Sequence, residues 1–247
     1  MAERTLRVCA LYPDLMNIYA DRGNLTVLER RCAWRGIGFE LAGAGVGEDI
    51  DPGAHDLFYI GGGQDRDQAL CARDLVDRKR TALHAAAGRG AVVFAVCGGY
   101  QLLGHGYELD GERLPGAGLV DLETVREPGE RLIGNVAIEL DVPGGPPLLA
   151  GFENHGGRTY LGDRATALGR VVRGHGNNGR DGREGVRGGA HGTVVGTYIH
   201  GPLLPKNTAF ADWLTAVALG VEPGELAPLD DALEAAAHRA ARRAAGV

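Results

Sequence analysis

Along the first hundred residues, short unbroken apolar runs alternate with longer stretches in which apolar positions recur at helical spacing. Leu6–Tyr12 (LRVCALY) is a run of strand length with β-branched content and predicts a buried strand. A loop follows, and Asn24 is placed to cap a helix running to about Arg35, with Leu25, Leu28 and Cys32 on one face. Gly36 and Gly38 stop it. His55–Ile60 (HDLFYI) predicts a second strand that ends in a glycine turn. Leu70, Leu75 and Leu83, set among charges, predict a helix from Asp67 to about Ala87. Residues 90–104 (GAVVFAVCGGYQLLG) read as strand, abrupt turn, helix. Alternation of this kind predicts an α/β fold with a largely parallel sheet.

The second half is richer in strands, predicted at 133–141, 147–157, 167–174 and 192–201, with turn chemistry throughout 175–192 predicting a hairpin loop. Two helices, Thr208–Leu219 and Asp230–Ala245, finish the chain. No repeat or long linker divides it, so a single domain over 1–247 is expected, with a core at about 6–213 and a C-terminal helical extension at about 222–247.

Composition narrows the class. At 44% hydrophobic, 247 residues can bury a core, which excludes a disordered chain. The 41 glycines have no collagen-like period and so should serve turns and close backbone approach. A net charge of −6 argues against a nucleic-acid binder, and the late cluster Arg239, Arg242 and Arg243 reads as a solvated helix face. No apolar stretch reaches the ~18 residues of a membrane span, and the first residues contain no signal-peptide core, so a cytoplasmic protein is expected. Cys9, Cys32 and Cys71 lack metal or disulfide spacing and read as small buried hydrophobes. His175 and His191 are irregularly spaced among glycines, so no metal site is expected.

The fourth cysteine has different company. Cys97 stands where the apolar strand AVVFAV stops, and Gly98 and Gly99 permit a sharp strand-to-helix turn, the geometry of a nucleophile elbow. A helix N-terminus there favours thiolate, and the Gly98 N–H would point at an oxyanion. A second donor is expected from Gly61–Asp65 (GGGQD), at a glycine near Gly62, on a loop at the same sheet edge. That loop lacks the lysine and hydroxyl of a phosphate loop. His200, ending the run GTVVGTYI, is the expected base, with His155 its rival at the end of another strand-like run.

These residues meet a family. AVCGGYQLLG, with GGGQD upstream and TYIHGP downstream, resembles class I, triad-type glutamine amidotransferases, in particular their cobyric-acid-synthase-like branch. YPDLMNIYADRGN, FENHGGRT and GNNGRDGREG narrow the resemblance to the GatD family, the glutaminase subunits of lipid II isoglutaminyl synthase. It covers about Leu6 to Trp213. It implies a flavodoxin-like class I glutamine amidotransferase fold with helices flanking the sheet, and an enzyme that hydrolyses L-glutamine through Cys97 and His200. It also carries over Arg131, in GERLIGN, as the contact for substrate glutamine, a task that suits a guanidinium fork; Arg158 competes on the same reasoning. Gln101 and Tyr100 should pack or position.

The resemblance further implies a heterodimer with a Mur-ligase-like subunit, MurT, which uses ammonia to amidate the D-glutamate of lipid II. ATP and Mg are then expected on that partner, and no cofactor in this chain. The departure that matters is Pro202, which stands where many relatives carry an acid two positions after the histidine. A carboxylate from elsewhere in the chain, one from the partner, or a dyad are the alternatives. Other readings are the same chemistry with another acceptor, a non-catalytic ligase-stabilising subunit, and a redox protein with a reactive cysteine. Cys97, His200 and GGGQD together count against the last two.

Overall fold

The computed structural model describes residues 4–17, 21–109 and 111–247. In chain order, β1 (Thr5–Leu11), α1 (Arg22–Trp34), β2 (Gly38–Ala44), β3 (Leu57–Ile60), α2 (Asp65–Asp74), α3 (Arg80–Gly88), β4 (Val92–Val96) and α4 (Gly98–Leu102) build the first half. The chain then leaves the main sheet to form β5 (Gly106–Leu109), β6 (Glu112–Pro115), β7 (Leu122–Arg126), β8 (Leu132–Leu140), β9 (Leu148–His155), β10 (Gly157–Leu161), β11 (Gly169–Arg173) and β12 (Arg183–Glu184). It returns with β13 (Val186–Gly188) and β14 (Val194–Thr197), followed by α5 (Leu203–Lys206), α6 (Thr208–Leu219) and α7 (Ala232–Ala245).

The main sheet has the order β13-β14-β4-β3-β1-β2. Every pair in it is parallel except β13 with β14. The order 2-1-3-4 continued by a late strand is that of a flavodoxin-like doubly wound fold, whose ligand sites lie beyond the carboxyl ends of the strands. Residues β3 and β4 are buried throughout, and strands covered on both faces read as continuous apolar runs. That is why HDLFYI and AVVFAV stand out in the sequence. The edge strand β2 is half exposed, and its run GFELAGA gives no such signal.

Two four-stranded sheets, β10-β7-β5-β6 and β12-β11-β8-β9, carry the excursion. Their strands β5, β6, β7 and β10 are four or five residues long and were not expected. Segment 175–192 is more than a hairpin loop: it contributes β12 to one sheet and β13 to another. The excursion matters because β9 brings its end back to the main sheet. Phe152 and His200 exchange backbone hydrogen bonds of 2.9 and 3.3 Å in an isolated bridge.

The helices depart from expectation in two places. Helix α1 starts earlier than expected, with Asp21 at its N-cap. Asn24 lies inside it, buried, donating to the Tyr59 hydroxyl at 3.0 Å and accepting the Leu204 N–H at 2.8 Å. The single helix expected over 67–87 begins at Asp65 and is interrupted by a π turn at Leu75–Lys79. There Lys79, fully buried, ion-pairs with Asp74, which also accepts the Tyr12 hydroxyl at 2.8 Å. Residues 18–20 of the expected loop, and the first three residues, lie outside the described residues.

The C-terminal helix is clamped by Arg31. Its guanidinium, 1% exposed, forks to Asp212 on α6 at 2.6 and 2.7 Å and to Asp231, before α7, at 2.6 and 2.8 Å. Ala245 of α7 packs on Ala137 and Ala150 of β8 and β9. Among the described residues no helix is long and apolar enough to cross a membrane.

A close backbone approach joins α4 to the end of β3. A Cβ added at Gly99 would lie 2.5 Å from the Ile60 carbonyl oxygen and 2.8 Å from that of Gly61. Gly99→Ala should therefore cost about 1–3 kcal/mol of stability by overpacking. A lowered denaturant midpoint with an unchanged slope would register this; an unshifted midpoint would contradict the approach.

Candidate active site

Cys97 has φ +52° and ψ −110°, a left-handed conformation for a residue with a side chain. Such strain persists only where neighbours over-determine it. Here the Cys97 N–H donates to Thr197 O of the adjacent strand at 2.8 Å, and the Gly99 N–H to Gly61 O at 3.1 Å. The turn throws the thiol out beyond β4 while α4 begins at once. Cys9, Cys32 and Cys71 are buried and lie in β1, α1 and α2.

The thiol opens on a cleft of about 30 Å³, lined among others by Gly63, Gly98, Gln101, Arg131 and His155. That volume suits a water rather than an amino acid, so the cleft as it stands is closed to glutamine. The structure thus brings Cys97, Gly98, Arg131 and the glycine loop together. Arg131 is exposed on its outer side, with Nε donating to Asn154 Oδ1 at 2.9 Å and a terminal nitrogen to Asn154 O at 3.0 Å. Arg158 instead turns to the carbonyls of Glu130, Gly156 and Gly157.

The glycine loop requires a correction. The Gly62 N–H is taken by the buried Asp21 carboxylate at 2.6 Å, and Gly62 does not line the cleft. Gly63 does, and a Cβ built on Gly98 would lie 3.1 Å from its nitrogen. The N–H next to the elbow is that of Gly63.

The histidines are arranged less simply than expected. His200 lies three residues past β14 rather than at its end, and is 1% exposed. Its ring packs edge-on against Phe152, with centroids 5.8 Å apart. Burial, with the positive charges of His155, Lys206 and Arg131 nearby, pushes its pKa down to about 4, against a smaller opposing pull from Glu153. It is a neutral imidazole at physiological pH, able to accept a proton. His155, not His200, lines the cleft. It stacks flat on Tyr198 with centroids 3.6 Å apart, and its Nδ1 contacts Gly157 O at 2.9 Å. Pro202, at the N-cap of α5, presses its ring on Gly23 of α1. The position that carries an acid elsewhere is spent here on packing.

Beneath the elbow runs a buried polar network that the sequence reading missed. Gln68 Nε2 donates to Gln101 Oε1 at 2.7 Å, Gln101 Nε2 to the Tyr198 hydroxyl at 3.1 Å, and that hydroxyl meets Thr159 at 2.7 Å. Glu184, fully buried, accepts from the Thr197 hydroxyl and the Tyr198 N–H, both at 2.7 Å, just upstream of His200. Burial pushes its pKa up to about 7. Glu153, also buried, accepts from the N–H groups of His175 and Gly176 at 2.7 and 2.9 Å and contacts His175 Nδ1 at 2.8 Å. Glu184 was hidden in a glycine-rich stretch whose one signal is a carboxylate among turn residues.

The elbow does not favour thiolate as expected. Burial pushes the Cys97 thiol up to about 12, and the nearby carboxylates Asp21 and Glu184 add to this. The Gly98 N–H and Arg131 pull the other way without prevailing. The resting nucleophile is a thiol.

The family model for the CobB/CobQ-like glutamine amidotransferase domain matches residues 7–208. The GatD subunit of lipid II isoglutaminyl synthase (glutamine-hydrolyzing) from Staphylococcus aureus is 42% identical over 202 residues, covering 81% of this chain and 79% of that one. The subunit of the same name from Streptococcus pneumoniae is 37% identical over 221 residues, 89% of this chain and 83% of that one. A cobyric acid synthase from Pelotomaculum thermopropionicum is 33% identical over 218 residues, 81% of this chain but 38% of that one. In fold, the chain is similar to PurLQS from Thermotoga maritima (TM-score 0.57, 21% identity, 95% and 98% of the two chains). It is also similar to the Trypanosoma brucei CTPS glutaminase domain with bound acivicin (TM-score 0.54, 11% identity, 87% and 94%).

A thiol with so high a pKa has a plain kinetic signature. Alkylation of Cys97 by iodoacetamide should quicken about tenfold per pH unit from pH 7 to 10, because only thiolate reacts. A plateau near neutral pH would mean that the closed site does not hold the thiol protonated.

Proposed function

Since the chain belongs to the CobB/CobQ-like glutamine amidotransferase family, we propose that it is the glutamine-hydrolysing subunit of a lipid II isoglutaminyl synthase. Its ammonia passes to a separate Mur-ligase-like partner of the MurT kind, which amidates the D-glutamate of lipid II in peptidoglycan synthesis. The observation that carries this reading is the strained elbow: Cys97 at φ +52° shares one cleft with Arg131 and Gly63. The 42% and 37% identities along most of both chains favour this acceptor over the corrinoid one. ATP and Mg are assigned to the partner, and no cofactor to this chain. Four free cysteines suit the reducing cytoplasm in which we place it.

Catalysis then follows from the residues in the cleft. Arg131 binds the α-carboxylate of L-glutamine and turns the carboxamide toward Cys97. Sulfur attacks the carboxamide carbon as its proton passes to His200, whose imidazole is neutral and so can take it. The tetrahedral oxyanion is held by the N–H groups of Gly98 and Gly63. His200 returns the proton to the leaving nitrogen, ammonia departs, and a thioester remains on Cys97. Water, deprotonated by His200, hydrolyses it to glutamate and restores the thiol.

Glutamine-dependent ammonia release tests the reading. Cys97→Ala should abolish it with the fold intact, and His200→Ala should lower turnover by ~10²–10⁴-fold. His155→Ala should retain substantial activity; the reverse outcome for the two histidines would transfer the base to His155. A glutamine-analogue electrophile should label Cys97 alone among the four cysteines.

The partner has a defined task in this scheme. A closed cleft and a protonated thiol predict that the isolated chain hydrolyses glutamine slowly and that the ligase subunit speeds it, by opening the cleft or by giving His200 an orienting carboxylate. Replacing acidic partner residues at the interface should erase activation in the second case only. Equal ammonia release with and without the partner would end the idea of a partner-completed site.

A further inference from the structure

Asp21 is a buried charge that none of the steps above uses. It stands at the N-cap of α1, where an aspartate ordinarily accepts the free N–H groups of the first turn, yet its side chain makes no capping bond. It is 1% exposed. Oδ2 accepts the Gly62 N–H at 2.6 Å, and Oδ1 has no hydrogen-bond partner among the described residues. Buried carboxylates usually gather several donors; this one has a single peptide. Burial accordingly pushes its pKa up to about 6.

That single peptide is the informative part. The carbonyl of Gly61 and the N–H of Gly62 belong to the same planar unit. Its oxygen accepts the Gly99 N–H of the elbow at 3.1 Å, while its N–H goes to Asp21. The plane is therefore held at both ends, with its donor turned away from the elbow helix. Three successive glycines have no Cβ to favour one orientation of their peptide planes, so the loop needs a clamp from outside. Once this plane is set, the next N–H, that of Gly63, falls beside Gly98.

We propose that Asp21 is the positioning residue of the oxyanion loop, clamping the Gly61–Gly62 peptide so that Gly63 presents the main-chain donor beside Cys97. This rests on the glutaminase reading above. Asp21 touches no reacting atom, and its own charge works against thiolate at Cys97. Its contribution is to the tetrahedral intermediates, not to the nucleophile.

That separation gives the experiment. Alkylation of Cys97 by iodoacetamide displaces iodide at a saturated carbon and builds no oxyanion, whereas glutamine hydrolysis builds one twice. The full chain with its ligase partner is assayed for kcat and KM on glutamine, and for the alkylation rate. Asp21→Ala should lower kcat by about 10²-fold, the scale of losing one oxyanion donor, with KM within about threefold. Its alkylation should be as fast as wild type or faster. Asp21→Asn keeps an oxygen for the Gly62 N–H and should restore kcat to within several-fold of wild type. Should the alanine variant fail to fold, Asp21→Ser takes its place with the same expectation, since it keeps a capping hydroxyl too short to reach Gly62. Unchanged kcat in the alanine or serine variant overturns the proposal, as does alkylation that falls in step with kcat, or an asparagine variant as slow as alanine. A wild-type complex that hydrolyses no glutamine overturns the glutaminase reading with it; an active wild type beside an equally active Asp21→Ala overturns the positioning role alone.

Discussion

A cysteine held at φ +52° at the end of a buried strand is the constraint from which the rest of the site is built. Such a conformation costs on the order of 1–3 kcal/mol for a residue with a Cβ, and the surroundings must restrain it from several sides. The hydrogen bond from Cys97 to Thr197 ties the elbow to β14, the strand that leads to His200. The bond from Gly99 to Gly61 ties it to the glycine loop. The strain that turns the sulfur out of the strand end is thus tied both to the segment that leads to His200 and to the glycine loop. Function and fold are coupled through two backbone hydrogen bonds and the missing Cβ of one glycine.

Charge is distributed around the sulfur in a way that opposes its own chemistry at rest. Asp21 and Glu184 both disfavour thiolate, and Arg131 with the Gly98 N–H does not outweigh them and burial. The same low-dielectric surroundings keep His200 neutral. A neutral thiol in a water-sized cleft, with the neutral imidazole of His200 outside its lining, is the ground state expected of a site that reacts only when substrate arrives. Bringing glutamine in must widen the cleft, and under the proposed mechanism the carboxylate of that substrate pairs with Arg131 as it enters. In the proposed mechanism proton transfer from sulfur to imidazole creates an ion pair in these low-dielectric surroundings, a cost that bond formation to the carboxamide carbon and the oxyanion donors must offset.

Parts of this were legible in the sequence because burial on both faces leaves an unmistakable pattern. The strands β1, β3 and β4 are apolar runs bounded by turn residues, and the cysteine between AVVFAV and GGYQLLG announces its elbow. In the excursion β8, β9 and β11 were legible, while β5, β6, β7 and β10 were silent. These four are only four or five residues long, so neither period nor propensity accumulates over them. The polar groups that matter most were missed for a related reason: Glu184 and Asp21 look like surface residues in loops until the fold removes them from water. The turning of the Gly62 N–H to Asp21 was not legible either, because sequence shows which residues can donate but not which way a glycine peptide plane is turned.

The placement of the histidines carries the argument one step further. His200 was expected at the end of the last strand, yet the strand stops at Thr197 and the chain turns through Tyr198 before reaching it. The Tyr198 ring is stacked on His155, and its hydroxyl is bonded to Gln101 on the elbow helix and to Thr159. Its N–H is held by Glu184. A tyrosine fixed at its ring, its hydroxyl and its backbone is a rigid strut, and both histidines are referenced to it. In the proposed mechanism the nucleophile is positioned by β4 and the base by that strut, and the hydrogen bond from Gln101 to Tyr198 ties the elbow helix to the strut. Precision at the reacting atoms therefore depends on buried side-chain hydrogen bonds that no catalytic motif records, which is where a close relative with an intact elbow and histidine could still lose its activity.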